Sequence, residues 1–241
     1  MTPNSVINLS SHRIAVPMLT GMDEQVRALT EELRSNFAEW SRPDGWPNDA
    51  DCALIDSVFS TRANYKTTVL PLVKRWRDWP SRPAGGRLSS ILKVPVDDFR
   101  SVIDNDQFVP GRSKNRLRKY EAVYEVADRL VSRHLDEPDQ IRACAIDDGK
   151  LLEDLVRRTK GVGRAQYSYF LMLLGVQGIK ADTLVTAWVE RAIGIKGLTQ
   201  LEVERLVTES ADQLDVSPIV VDHTIWSSES KTRWAQRFLR S

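Results

Sequence analysis

Apolar residues along this chain recur at spacings of three and four rather than in alternation, a pattern that predicts helices throughout and an all-α fold. Residues 23 to 40 are predicted as a first helix, and Ser41 to Asp51, with Pro43, Gly45 and Pro47, as a loop. The next helix starts near Asp51 and is expected to turn one apolar face inward through Leu54, Ile55, Val58 and Phe59, with Ser60, Thr61, Arg62 and Asn64 in its last turn. Beyond it, a helix through Leu70 and Trp76 is expected to be interrupted by Pro71, and WPSRPAGGR breaks regular structure. A short helix is predicted over 86 to 93, and another after Pro95.

From Lys114 to His134 the stripe Leu117, Tyr120, Val123, Tyr124, Ala127, Leu130, Val131 predicts a long amphipathic helix. Its basic start, KNRLRK, opposes the helix dipole, which leaves open both a further purpose and a plain solvated face. Residues 150 to 158 form a short predicted helix with Leu151, Leu152, Leu155 and Val156 inward. The turn Thr159 to Arg164 and the apolar run AQYSYFLMLL follow, so the order is helix, glycine hairpin, helix. Gly175 and Gly178 close that helix, and Asp182 opens one whose shared face holds Leu184, Val185, Trp188, Val189, Ala192 and Ile193. Thr199 and Glu202 make a capping box for a helix to about Leu214, and Ser217-Pro218 begins one containing Asp222, His223 and Trp226. The chain is divided accordingly into an N-terminal helix and loop, 1–45, and a main domain, 46–241, with its hairpin at 159–164.

Composition narrows the chemistry. With 241 residues, 41% apolar and 28% charged, the chain can form one large domain or two small lobes sharing a cleft. No apolar stretch approaches the ~20 residues of a membrane span, and the start lacks a basic segment followed by an apolar one, so the expectation is cytoplasmic, with no membrane partner. Cys52 and Cys144 are too few for a disulfide framework or a four-cysteine metal site. The net charge of +1 gives no global sign of nucleic-acid binding, so any phosphate-binding charge must be local. Such a cluster exists: Arg157, Arg158, Lys160 and Arg164 surround Gly161-Val162-Gly163, a hairpin whose backbone N–H groups can hold a phosphate at a helix N-terminus. Gly-Val-Gly also serves as an ordinary inter-helix turn, so the hairpin alone does not assign a function.

The stretch GVGRAQYSYFLMLLGVQGIKADTLVTAWVERAIG resembles the helix-hairpin-helix DNA glycosylase superfamily of the endonuclease III and alkyladenine glycosylase types. Gly175 and Asp182 reproduce that family's step from a glycine to a catalytic aspartate seven residues on. ALIDSVFSTRANY resembles its early helix, and the basic helix from Lys114 the one before its hairpin, so the similarity spans about residues 50 to 195.

The resemblance implies two helical lobes around a DNA-binding cleft, with double-stranded DNA held through Lys160, Gly161, Val162, Gly163 and Arg164 and a nucleotide swung into the cleft. Asp182 would be the catalytic carboxylate, although aspartate before an apolar helix is also a common N-cap. Arg62 sits where the family often places a residue that fills the gap left by the flipped base, with Ser60 and Asn64 beside it. Tyr65, Tyr167, Asp222, His223 and Trp226 are base-pocket candidates; for the tyrosines the competing reading is core packing, and for His223 a half-exposed helix residue. Ala165 stands where strand-cutting members carry a lysine, which implies a monofunctional enzyme; Lys160 and Lys180 are read as solvated, DNA-contacting lysines. No cysteine follows Cys144, so the family's iron-sulfur cluster is not expected. No other cofactor is expected, save a monovalent cation that the hairpin carbonyls could hold. The expected protein is a monomer acting in base excision repair or against phage DNA carrying modified bases. A non-catalytic DNA-binding helix-hairpin-helix protein is the alternative.

Overall fold

The apolar spacing resolves into helices in the computed structural model, which describes residues 21–111 and 116–238, with the side chains of the last helix included to Lys231. In chain order they are α1 (Met22–Asn36), α2 (Ala50–Phe59), a π-turn (Tyr65–Val69), α3 (Leu70–Arg77), α4 (Ser89–Leu92), α5 (Val96–Ile103), α6 (Lys119–Val131), α7 (Pro138–Asp147), α8 (Gly149–Arg157), α9 (Arg164–Leu173), α10 (Thr183–Ile193), α11 (Gln200–Leu214) and α12 (Pro218–Phe238). Among the described residues the only extended pairing is an isolated bridge between Phe108 and Arg118. No helix among them is long and apolar enough to cross a membrane.

Two hydrophobic cores divide the molecule. One lobe is built from α2 to α9, around Leu54, Phe59, Leu72, Trp76, Val123 and Phe170. The other joins α1 to α10, α11 and α12 through Leu29, Leu33, Val185, Val189, Leu206 and Ile225. From α1 in the second lobe the described chain passes on to build the first and returns near Ile179. Two passages cross the seam between them. The first is tied down by the Trp46 N–H to Leu173 O (2.6 Å) and the Ser41 N–H to Thr224 Oγ1 (2.9 Å).

Several elements depart from the sequence expectation. Rather than one face, α2 buries all ten of its residues. That is possible because its two aspartates find partners inside. Asp51 accepts from Trp76 Nε1 (2.9 Å) and from Arg82 Nε and Nη2 (3.0 and 2.8 Å). Arg82 also reaches Asp49 (2.7 Å), so its guanidinium fills the spot where Asp49, Asp51 and Cys52 converge in metal-like spacing. Pro71 does not interrupt α3; it sits in the first turn, where a missing N–H costs nothing, and the π-turn leads into it. The basic helix begins at Lys119, and Arg116 to Arg118 are non-helical; Lys114 and Asn115 lie outside the described residues. α1 stops at Asn36, where Phe37 leaves the helix and packs on Trp188 at 5.5 Å. Helix α7 was not anticipated, because only Ile141 of its ten residues is buried and there is little periodicity to read.

Candidate active site

The hairpin is shaped by its glycines. Gly161 has φ +88°, and a Cβ there would lie 2.4 Å from Val109 Cγ2, so the turn can pack on the Val109–Pro110 segment only as glycine. Val162 is buried, and its N–H bonds Thr159 O (3.0 Å). Gln166 accepts from the Gly163 N–H (3.0 Å) and donates to Thr61 Oγ1 (2.9 Å), coupling the hairpin to the loop that carries Arg62. Arg164 does not extend free towards solvent: Glu204 of α11 and Glu153 of α8 hold its guanidinium at 2.8 and 3.0 Å. Lys160 is exposed at the tip. The Thr159 and Gly163 carbonyls accept the Val162 and Tyr167 N–H groups at 3.0 and 3.1 Å.

The loop after α2 is strained at its centre, where Arg62 adopts φ +54°, a conformation a non-glycine side chain resists. Asn64 accepts the Thr67 N–H (3.1 Å) and caps the π-turn. From the other side Lys119, 2% exposed, sends its ammonium to Phe59 O, Thr61 O and Gln107 Oε1 at 3.0, 2.7 and 3.0 Å. Desolvation pushes its pKa down to about 8.

Asp182 is the N-cap of α10: Oδ1 accepts from the Leu184 and Val185 N–H groups at 2.8 and 3.1 Å, which fixes the carboxylate. Its Oδ2 lies 3.9 Å from Lys180 Nζ. Between these two residues Ala181 is buried with φ +36°, a strained conformation that the surroundings impose. Asp222 on α12 accepts the Lys180 N–H at 2.9 Å and holds the turn from behind. Desolvation raises the Asp222 carboxyl to about 7, and the nearby Asp182 carboxylate adds to the shift.

Lys180 does not read as solvated. Its side chain is 13% exposed and crosses the seam to the other lobe, with Nζ 3.7 Å from the Tyr169 ring centre and 3.4 Å from Ser60 Oγ. Beneath it lies Asp56, fully buried, whose Oδ2 accepts from Trp46 Nε1 (2.8 Å) and the Tyr65 hydroxyl (3.1 Å). Burial pushes Asp56 up to about 6, against the pull of the Trp46 hydrogen bond and the Lys180 charge. The Tyr169 hydroxyl lies near enough to lower that value, yet Asp56 Oδ1 lacks a well-aligned hydrogen-bond partner.

An aromatic wall joins the lobes above this cluster: Tyr65 meets Trp226 edge-on at 5.9 Å, and His223 stacks on Trp226 at 5.7 Å. Desolvation lowers the His223 pKa. The structure thus brings together Ser60, Tyr65, Asp182, Asp222, His223 and Trp226. Tyr167 is not among them: it is buried, and its hydroxyl bonds Gly149 O at 3.0 Å. Asp56 is the member that sequence reading missed. An aspartate inside an otherwise apolar decamer was the available signal, since a buried polar group is the informative exception.

Residues 24–230 match the family model "Domain of unknown function (DUF8548)", and the chain belongs to that family. No curated protein sequence matches it. Among solved structures it is similar to that of a trapped endonuclease III–DNA covalent intermediate, an estranged-adenine complex, with a TM-score of 0.54 and 15% identity, covering 84% of this chain and 85% of that one. At this identity, what the two share is the fold.

Proposed function

We propose that this member of the DUF8548 family is a monofunctional DNA glycosylase, which turns a modified or damaged base out of duplex DNA and hydrolyses its N-glycosidic bond. The observation that carries the reading is the strained Lys180-Ala181-Asp182 turn, which sets a fixed carboxylate in the seam between two lobes of an endonuclease III-like fold.

The steps follow from the residues present. Duplex DNA lies across the hairpin, where Lys160 and the backbone of Gly161 to Gly163 meet the phosphates, and Arg62, with Ser60 and Asn64 supporting its loop, fills the space the nucleotide vacates. The flipped sugar places C1′ against Asp182. As the bond to the base lengthens, positive charge grows on the sugar, and a carboxylate already held by two backbone N–H groups stabilises it without reorganising. Water then adds to C1′ and an abasic site remains. Ala165 offers no amine to the sugar, which is why hydrolysis without strand cutting is the expected outcome. Tyr65, His223 and Trp226 wall the base pocket, and Asp222 supports it from behind. The biological setting is base excision repair or the removal of bases deliberately modified in phage DNA.

Incubation with duplexes containing uracil, alkylated purines, oxidised bases, mismatches or phage-type modified cytosines, followed by mild alkali, tests this reading. Breaks that appear only after alkali are expected for at least one substrate. Salt-sensitive binding without base release would favour a non-catalytic DNA-binding protein instead.

A further inference from the structure

We propose that the Lys180 ammonium is a catalytic group that receives the departing base, so that the substrate is a neutral nucleobase leaving as an anion and not a cationic alkylated base. The inference rests on reading the seam as a glycosylase site. It goes further by assigning a second reacting group and a substrate class.

Three observations support it. First, Lys180 points away from its own lobe, and its Nζ ends 3.9 Å from Asp182 Oδ2, on the Tyr169 face and beside Ser60. A surface lysine that served only to meet phosphates would have no reason to cross the seam. Second, the turn that aims both side chains is strained at Ala181 and held by Asp222, so the juxtaposition of carboxylate and ammonium is imposed by the fold. Third, Asp56 Oδ1, the one buried side-chain oxygen without a well-aligned hydrogen-bond partner among the described residues, belongs to the cluster behind Lys180, where the Tyr169 hydroxyl is its neighbour.

The charges match a dissociating glycosidic bond. When the C1′–N bond breaks, its electron pair leaves with the base: positive charge gathers on the sugar, beside Asp182, and negative charge on the base, beside Lys180. The base departs hydrogen-bonded to the ammonium or takes a proton from Nζ, and the amine regains one from solvent. Water adds to C1′ and releases its extra proton to solvent. A base already cationic leaves as a neutral molecule, gains nothing from Lys180 and is repelled on entering.

The test uses the full chain and duplexes carrying either a cationic pyrrolidine abasic analogue or the neutral tetrahydrofuran analogue. Wild-type and Lys180→Gln proteins are compared after matching their thermal unfolding. Lys180→Gln is expected to raise affinity for the pyrrolidine duplex by about tenfold relative to the neutral one, because a cation near C1′ has been removed. Lys180→Arg, which keeps the charge, is expected to behave as wild type. An unchanged ratio in Lys180→Gln, with a lowered ratio in Asp182→Asn, would leave the glycosylase site standing and overturn the role of Lys180. Ratios unchanged in both would remove the seam as the sugar site altogether. On duplexes from which the protein releases a base, Lys180→Gln is expected to slow release of neutral bases about 10²-fold or more. Release of 7-methylguanine by wild type faster than of every neutral base would also overturn the proposal.

Discussion

Lys119 and Lys180 are both withdrawn from solvent, one on each side of the loop that carries Arg62, but their surroundings differ in kind. Lys119 places all three of its donors on neutral oxygens, those of Phe59, Thr61 and Gln107, and so closes the carbonyl end of α2. Lys180 makes one long hydrogen bond to Ser60 and is otherwise held by an aromatic face and by carboxylates. A buried cation whose hydrogen bonds are complete holds a fold together. One held by charge, with donors to spare, is equipped to meet a ligand.

That contrast can be broken most forcefully at Lys119. Lys119→Met leaves three acceptors without their donor, at about 1 kcal/mol each, so a loss near 3 kcal/mol and a fall in the thermal midpoint of about 6–12 °C are expected by calorimetry. Lys180→Met should lower the midpoint by less than half as much. The pH dependence has a definite sign. Because the folded-state pKa of Lys119, about 8, lies below its ordinary value of 10.5, the unfolded chain holds more protons between the two. Stability from this group should therefore rise with pH across that window, and the rise should vanish in Lys119→Met.

A smaller effect separates the two cations of the hairpin. Arg164→Ala strands Glu204, leaves Glu153 with Arg157 as its remaining partner, and should cost about 1–2 kcal/mol of stability after allowance for the partial exposure of the arginine. Lys160→Ala should weaken duplex binding on every sequence alike and lower the salt slope by about one. The reverse assignment would move the phosphate contact from the tip of the hairpin to its base.

A further effect concerns the support behind the seam. Asp222 titrates near 7 in the folded chain and ordinarily near 3.8, so its contribution to stability is full below about 3.8 and is lost as pH rises through 7. Asn at this position keeps an acceptor for the Lys180 N–H and never ionises. Asp222→Asn should therefore gain on wild type between pH 5 and pH 8 in denaturant midpoints; a difference independent of pH would place the charge elsewhere.

The amphipathic helices were readable because their stripes face a core directly, as α10 shows with Val185, Trp188, Val189 and Ile193. The capping box at Thr199 and Glu202 was equally legible, since both partners are local. What escaped was whatever depended on distant partners. The burial of α2 on all sides requires Arg82, Trp76 and Trp46 to satisfy two aspartates, and no window of ten residues contains them. The same holds for the candidate site. The spacing around Asp182 marked the carboxylate, whereas the inward course of Lys180 follows from the position of Tyr169 and Ser60 in the other lobe.

The most direct measurement is single-turnover base release by wild type and Asp182→Asn on a duplex from which the wild type releases a base, with affinity for a tetrahydrofuran abasic duplex measured alongside. The account predicts a 10²- to 10³-fold fall in rate with affinity changed by no more than a few-fold, as expected when one preorganised charge is removed from a site that still binds. An Asp182→Asn protein that releases base at the wild-type rate, or a wild type that binds duplexes and releases no base from any of them, would contradict it.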